Sequence, residues 1–324
     1  MSNTLAPMHR QILDWYRQNG RKTLPWRNTG NPYHIYVSEV MLQQTQVKTV
    51  LERYYFPFIK HFPTLKALGN APLDDVLKMW EGLGYYTRAK HLHQTARQIS
   101  KMPETIEALI KLPGIGKNTA HAIAAFAFKQ PVPVMEANVK RILCRIHKLK
   151  TPSEKQLWEH AYALIDKKNP FDYNQAMMDI GAMVCLPQNP LCAHCPLFDI
   201  CQGKSMPEGY PEKKKKTVPL REENILISLC SSGRLSLSQR SGKFLHGLWG
   251  FESVEIPPHS AQYIGEVTHG YTHFKLRCKV YLCQESPQKQ KHYFDIKEID
   301  TLAISKADEK ILKLFLLQCE KDSS

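Results

Sequence analysis

The chain has 324 residues, with 44 Lys and Arg against 30 Asp and Glu and a formal net charge of +14. That length allows two or three domains with their own cores, and the charge points to a polyanionic partner, nucleic acid ahead of an anionic membrane surface. No run approaches the roughly 18–20 apolar residues of a membrane span, and the N-terminus lacks the basic start and apolar region of a secretion signal. Nine cysteines in a chain so read as intracellular argue against a disulfide framework.

In chain order, residues 5–19 read as a helix, with Met8, Ile12, Trp15 and Tyr16 on one face and Gly20 as its stop. Leu24-Pro25-Trp26-Arg27 sets an aromatic ring beside a fixed cation. Such a pair stacks on or hydrogen-bonds to a base, or simply half-buries against the first helix. Tyr36–Tyr55 has helical periodicity throughout, and Glu39 is a single acid among its apolar neighbours. An exposed helix glutamate is one reading; a desolvated general acid with a raised pKa is the other. In Trp80–Lys90, glycines precede Tyr85, Tyr86 and the cations Arg88 and Lys90. That order suits insertion between bases and phosphate contact, although paired tyrosines at a helix start also serve as core.

Residues 112–140 hold the densest signal. Pro113-Gly114-Ile115-Gly116 is a tight turn, and an alanine-rich helix follows over Thr119–Phe128. Amides exposed by such a turn, next to a helix N-terminus, grip one backbone phosphate. Gln130-Pro131 and Pro133 end the helix, and a second begins at Glu136-Ala137-Asn138 with a carboxylate in its first turn. Further on, Asp179 stands among Met177, Met178, Ile180 and Met183. Cys185, Cys192, Cys195 and Cys201 then follow as C-x6-C-x2-C-x5-C. Four thiolates in one short loop require a metal centre; zinc is the general competitor, but it favours two C-x2-C knuckles and only one is present. Residues 203–222 read as a basic linker with the charge run Lys213–Lys216. Strands are expected over 224–230, 235–240 and 274–284, and a closing helix over Asp308–Cys319.

These stretches together resemble the MutY family, the adenine DNA glycosylases of the helix-hairpin-helix superfamily, over almost the whole chain. The match is carried by SEVMLQQT around Glu39, the Pro-Gly-x-Gly hairpin, Asn138-Val139-Lys140-Arg141, the cysteine spacing, Gly247-Leu248-Trp249 and the segment Thr268–His273. The resemblance implies a mainly helical fold, with a six-helix barrel over about 24–135 and an iron–sulfur domain from 1–23 plus 136–202. A small α+β MutT-like domain over 223–324 then reads the base opposite the target. It implies one [4Fe–4S] cluster on the four cysteines, with His194 among the groups that face DNA. Glu39 takes the role of the acid that protonates adenine, and Glu136, steadied by Asn138, that of the stabilising carboxylate. Trp26, Arg27, Leu42 and Asp179 surround the base. Gln44 and Tyr85 insert into the stack, while Arg88, Gly114, Gly116, Lys117, Asn118 and Thr119 meet the backbone. Tyr271, Thr272 and His273 recognise the opposite base.

The chain also departs from that pattern. Glu136-Ala137 stands where the family has Asp-Gly; the added methylene moves the carboxylate by about 1.3–1.5 Å, and misplacements of about 1 Å lose around a hundredfold in rate. Asn118 stands where bifunctional relatives carry a Schiff-base lysine, so hydrolysis without strand cleavage is expected. Tyr271-Thr272 replaces the usual Phe-Ser, and the REx2E block of nucleotide hydrolases is missing. The expected activity is removal of adenine opposite 8-oxoguanine or guanine in double-stranded DNA. The expected protein is a monomer, away from membranes, in a bacterial-type cytoplasm. A bifunctional oxidised-pyrimidine glycosylase and a catalytically weak lesion-binding protein are the alternatives.

Overall fold

The computed structural model describes residues 2–212, 217–242, 244–285 and 291–322; the expected charge run Lys213–Lys216 lies outside the described residues. The longer helices are α1 (Ser2–Asn19), α2 (Pro32–Leu42), α3 (Leu73–Met79), α4 (Thr87–Gln98) and α5 (Lys117–Ala127). They continue with α6 (Ala137–Ile146), α7 (Glu154–Leu164), α8 (Pro170–Met183) and α9 (Lys306–Asp322). Two compact units form: Met1–Leu65 with Gln98–Lys215, and Lys66–Arg97 with Lys216–Ser324.

The first unit is helical, and local chemistry sets its boundaries. Gly20 ends α1, its amide donating to the Tyr16 carbonyl at 2.8 Å. Asn31 caps α2 by accepting from the Tyr33 amide at 3.0 Å, with Pro32 in the first turn. Ser153 and Gln156 form a capping box on α7. Ile12 and Tyr16 of α1 share one core with Ile142 and Leu143 of α6, Leu157 and Trp158 of α7, and Met177 and Ile180 of α8. Ile35 of α2 packs with Ala122, Ala125 and Phe126 of α5 in a second cluster.

One expected element does not form: Tyr36–Tyr55 is not a continuous helix. α2 stops at Leu42, and Leu42–Thr45 makes a turn with Gln43 at φ −58°, ψ 113° and Gln44 at φ 57°. The Thr45 amide closes it on the Leu42 carbonyl at 3.3 Å. This is type II geometry, which ordinarily takes Gly or Asn where Gln44 stands. With neither Gly nor Pro to mark it, the apolar periodicity runs through the break unchanged.

The second unit holds a mixed sheet of β1 (Leu220–Cys230), β2 (Leu235–Gln239), β3 (Trp249–Gly250), β4 (Glu252–Val254), β5 (Gln262–Gly270), β6 (Lys275–Glu285) and β7 (His292–Phe294). Its main order is β3-β2-β1-β6-β5, with β4 on β1 and β7 on β2. β1 and β6 run parallel, from Leu220 opposite Lys275 to Cys230 opposite Glu285. The sequence reading omitted β5, in which Val267 alone is fully buried and no apolar alternation shows. Ile225, Ile227, Leu276 and Val280 face Ile311, Leu312 and Phe315 of α9 in one core. Residues 66–97 pack within this unit. Lys78 Nζ donates to the Leu302 carbonyl at 3.0 Å, and the Ile304 amide to Glu81 Oε1 at 3.1 Å.

Asp308, 1% exposed, organises the start of α9. It accepts from Arg240 Nη1 and Nη2 at 2.8 and 2.9 Å, from Ser305 Oγ at 2.5 Å and from the Phe251 amide at 3.2 Å. Breaking a buried pair from one side costs about 3–5 kcal/mol. Asp308→Ala should therefore lower unfolding free energy by about 3 kcal/mol, read by urea denaturation followed through the second unit's aromatic signals.

Candidate active site and nucleic-acid interface

Glu39 lies on α2 between buried Ser38 and Val40. The residue keeps some solvent contact, but packing closes around the carboxyl itself. Burial pushes its pKa up to about 7, the nearby charge of Glu136 adds to the rise, and Arg27 opposes it. Glu136 is the N-cap residue of α6, at φ −90°, ψ 177°. Burial raises its pKa too, against the Asn138 and Val139 amides, the Asn138 side chain and the Arg141 charge. The amide interactions are electrostatic and fall short of full cap-bond geometry. Asn138 Nδ2 donates to Glu136 Oε2 at 3.4 Å, while Oε1 is buried without a protein hydrogen-bond partner. Two carboxyl groups thus share one desolvated space. Each favours the proton more than in water, and the cations around them differ.

Arg27 is 8% exposed and Asp179 is fully buried. Arg27 Nη1 and Nη2 form a fork on Asp179 Oδ2 and Oδ1 at 2.7 and 2.8 Å. Arg21 adds its amide at 2.8 Å and its Nε at 2.7 Å. Burial alone would raise the Asp179 pKa; the Arg27 bonds and both guanidinium charges outweigh it, and the net shift is downward. Asp179 therefore sits in the site as the anchor of Arg27. Trp26 is buried edge-on to Tyr55, with ring centroids 5.2 Å apart. Leu42 is half-buried, and Gln44 is exposed on its turn.

The sequence reading gave no role to Arg21, Arg141 or Gly181. Arg141 joins the cysteine loop to the carboxylate: Nε donates to the Cys185 carbonyl at 2.8 Å, and Nη2 to Asn138 Oδ1 at 2.8 Å. Nη2 also reaches the Gly181 carbonyl at 2.6 Å. A Cβ at Gly181 would fall 2.4 Å from Asn138 Cβ, so only glycine admits the approach. Arg141 had a signal, its place three residues after Asn138, one turn along the same helix face. Gly181 had none short of the tertiary contact.

The hairpin takes its expected form. Gly114 has φ 72°, Gly116 caps α5, and the space where a Cβ of Gly116 would stand is open. Lys117, Asn118 and Thr119 line an open depression of about 1010 Å³ with Lys140, Trp158 and Tyr162. Lys117 Nζ lies 4.1 Å from the centre of the Trp158 ring, and Thr119 Oγ1 accepts from Gln43 Nε2 at 3.0 Å. This helix start therefore also holds the turn that carries Gln44.

The four cysteines are free thiols and electrostatic neighbours. Burial pushes Cys195 up to about 12, a bond from the Leu197 amide opposes this, and the charges of Cys185, Cys201 and Cys192 raise it further. Arg145 Nη1 donates to Cys185 Sγ at 3.2 Å and to the Leu186 carbonyl at 2.7 Å, and its Nε to the Pro207 carbonyl at 2.8 Å. Among the described residues, no three His, Cys, Asp or Glu side chains are gathered so as to hold a metal ion. His194 is exposed on the same loop.

In the second unit, Tyr85 holds φ 50° after Gly84 at φ 76°. Arg88 is buried over Trp80 and Tyr85 and donates to the Gly84 carbonyl at 3.1 Å, which braces the glycine turn. The Tyr85 and Thr272 hydroxyls bond to each other. Tyr271 opens a turn closed by its amide on the Phe274 carbonyl at 2.8 Å; its buried hydroxyl points toward Ser305 without a bond of full geometry. Thr272 and His273 are exposed. Gly84, Tyr85, Tyr271, Thr272, His273 and Ser305 line a cavity of about 540 Å³.

Residues 37–167 match the HhH-GPD superfamily of base excision DNA repair proteins, and residues 224–314 a NUDIX domain. The chain is 44% identical over 236 residues to an adenine DNA glycosylase of Buchnera aphidicola subsp. Baizongia pistaciae, across 69% of this chain and 67% of that one. It is 32% identical over 346 residues to the adenine DNA glycosylase of Buchnera aphidicola subsp. Schizaphis graminum, across 96% and 99%. A solved thermostable thymine-DNA glycosylase is similar at a TM-score of 0.57 and 27% identity, covering 61% of this chain and 94% of that one. The expected fold class, a helical glycosylase region followed by an α+β domain, is borne out. Among the described residues, no helix is long and apolar enough to cross a membrane.

The raised Glu39 pKa has a sign that stability can test. Its folded value exceeds its unfolded one, so ionising it destabilises the fold as pH rises from 4.5 to about 7. Glu39→Gln should raise the thermal midpoint at about pH 8 and leave it unchanged at about pH 4. An equal effect at both would place the carboxyl in solvent.

Proposed function

The chain belongs to the adenine DNA glycosylase family, and from that premise we propose that its Glu39–Glu136 pair hydrolyses the N-glycosidic bond of adenine mispaired with 8-oxoguanine or guanine in duplex DNA. It is an adenine-specific glycosylase of base-excision repair. The observation that carries the mechanism is the Glu39 carboxyl, held near neutrality beside Glu136.

The flipped adenine enters beside Trp26, Leu42 and Arg27, with Asp179 fixing the Arg27 guanidinium. Glu39, protonated, gives its proton to N7 of the base. The electron pair of the bond between N9 and C1′ leaves with adenine, and positive charge develops on the sugar. Glu136 stabilises that charge; its unpartnered Oε1 is the free acceptor, while Asn138 donates to Oε2 and is itself held by Arg141 through Oδ1. Water adds its oxygen to C1′ and yields a proton to the Glu39 carboxylate. This is the two-carboxylate logic of glycoside hydrolysis. The longer Glu136 side chain meets Asn138 through Oε2, and this reading takes the pocket to be adapted to the added methylene.

The hairpin at Gly114–Thr119 grips the backbone of the target strand, while Gln44 and Tyr85 enter the stack. Both insert from backbone conformations that non-glycine residues rarely hold. Tyr271, Thr272 and His273 read the opposite base. Cys185, Cys192, Cys195 and Cys201 would hold a [4Fe–4S] cluster: one loop supplies four soft donors that feel one another's charge, Arg145 donates to Cys185 Sγ, and a cationic centre would draw off their protons. Such a cluster braces the loop behind Arg141 and supplies no chemistry at the scissile bond. The protein works as a monomer.

Single-turnover adenine release from a duplex with adenine opposite 8-oxoguanine tests this reading. The natural chain should cleave with a bell-shaped pH profile, its rate constant falling about tenfold per unit above about pH 7 as Glu39 ionises and falling again on the acid side as Glu136 takes up a proton. Glu39→Gln should lose at least about a hundredfold. Tight binding without release would leave a lesion-binding protein, and a borohydride-trapped adduct would restore the bifunctional alternative. Metal analysis should find iron and sulfide together; zinc without sulfide would overturn the cluster assignment.

A further inference from the structure

The loop joining β2 to β3 is closed by main-chain bonds, Arg240 N to Leu248 O at 2.9 Å and Gly247 N to Arg240 O at 2.7 Å. Its tip presents Phe244, Leu245 and His246, none of which the excision chemistry uses. Phe244 is a large aromatic left 46% exposed. It stands edge-on to Tyr271, with centroids 5.0 Å apart, and lies 5.3 Å from the Phe274 ring.

Leu245 holds φ 53°, a conformation that leucine disfavours. The other described non-glycine residues at positive φ divide by cause. Lys129 and Lys148 directly follow helix C-caps, where this conformation is ordinary, and Asn189 is a residue type that tolerates it. Gln44 and Tyr85 are the two residues assigned to enter the base stack. Leu245 is thus held in the same unfavourable backbone state as the two inserting residues.

Phe244, Leu245 and His246 line the same cavity of about 540 Å³ as Tyr85, Tyr271 and Thr272. No lining residue is acidic, and Lys90, Arg221 and Lys306 are among them. Arg221 is stacked on Phe274, 4.1 Å from the ring centre, and Lys306 is paired with Glu309. Lys90 has no acidic partner in its contact with the loop. Its ammonium donates to His246 Nδ1, which fixes the neutral imidazole proton on Nε2 as a further donor. Gly247, beside Lys90, holds φ 83°, which glycine accommodates without strain. An exposed ring beside fixed donors, with no carboxylate, complements one nucleotide at both its base and its phosphate.

We propose that this loop is part of the opposite-strand reader: Phe244 stacks on a base of the strand facing the excised adenine, and the Lys90–His246 pair takes a phosphate of the same strand. The assignment rests on the reading of the Tyr271–His273 turn as the opposite-base site. It adds residues that lie outside that turn.

The test is equilibrium binding of the full chain to two duplexes, one with a non-cleavable abasic analogue opposite 8-oxoguanine and one fully paired. Phe244→Ala should weaken the lesion duplex about tenfold and the paired duplex less than about twofold. Phe244→Tyr should restore the affinity, which a loss through misfolding would not allow. Lys90→Met should lower the slope of log affinity on log salt by about one. Equal wild-type affinity for the two duplexes would overturn opposite-base recognition, and the loop's role with it. A wild-type preference that Phe244→Ala leaves intact, or an equal weakening of both duplexes, would overturn the loop assignment alone.

Discussion

Two glutamates share one desolvated space, and much of the first unit follows from that constraint. Neither Glu39 nor Glu136 can ionise as freely as in water, and the first to ionise raises the cost for the other. Which keeps the proton is decided by neighbours. Glu136 has the Asn138 side chain, two amides and Arg141 on its side; for Glu39 the opposing cause is the charge of Arg27. These neighbours favour the charged form of Glu136 more than that of Glu39, the direction that the proposed division into acid and carboxylate needs.

That asymmetry depends on rigid support. Arg27 is not free to swing toward either carboxylate, because Asp179 holds it through a two-point fork and is itself held by Arg21. Asn138 is fixed by Arg141, and Arg141 by carbonyls at Gly181 and Cys185. The cysteine loop thus reaches Glu136 through two side chains. The second unit uses a comparable device away from the chemistry: Asp308 gathers Arg240, Ser305 and the Phe251 amide close to Tyr271.

Much of this was legible in the chain itself. The Gly114–Gly116 turn, the start of α6 at Glu136, the cysteine spacing and the change to strands after residue 220 all carry local signatures, because glycine, caps and alternation act over a few residues. Glu39 was legible as an anomaly, an acid in an apolar helix; its burial was not, since spacing alone does not say which face is covered. The break at Gln44 left no trace in the sequence, because the turn is imposed on a residue type that does not favour it. The Arg21–Asp179–Arg27 cluster joins residues more than 150 positions apart, and nothing local announces it. The loop at Phe244 was hidden in the same way: its Ser241-Gly242 start signals a turn, but only the fold brings it to Tyr271.

The most direct measurement is a carbon-detected NMR titration of the glutamate carboxyl groups in the free protein, with Glu39 assigned by substitution and compared with the Glu136→Gln variant. The account predicts that Glu39 titrates at about 7, and that removing the second carboxylate lowers this value without returning it to 4.5, because burial remains as the larger cause. A Glu39 that titrates near 4.5 in both proteins would contradict the shared, desolvated carboxyl pair on which the mechanism stands.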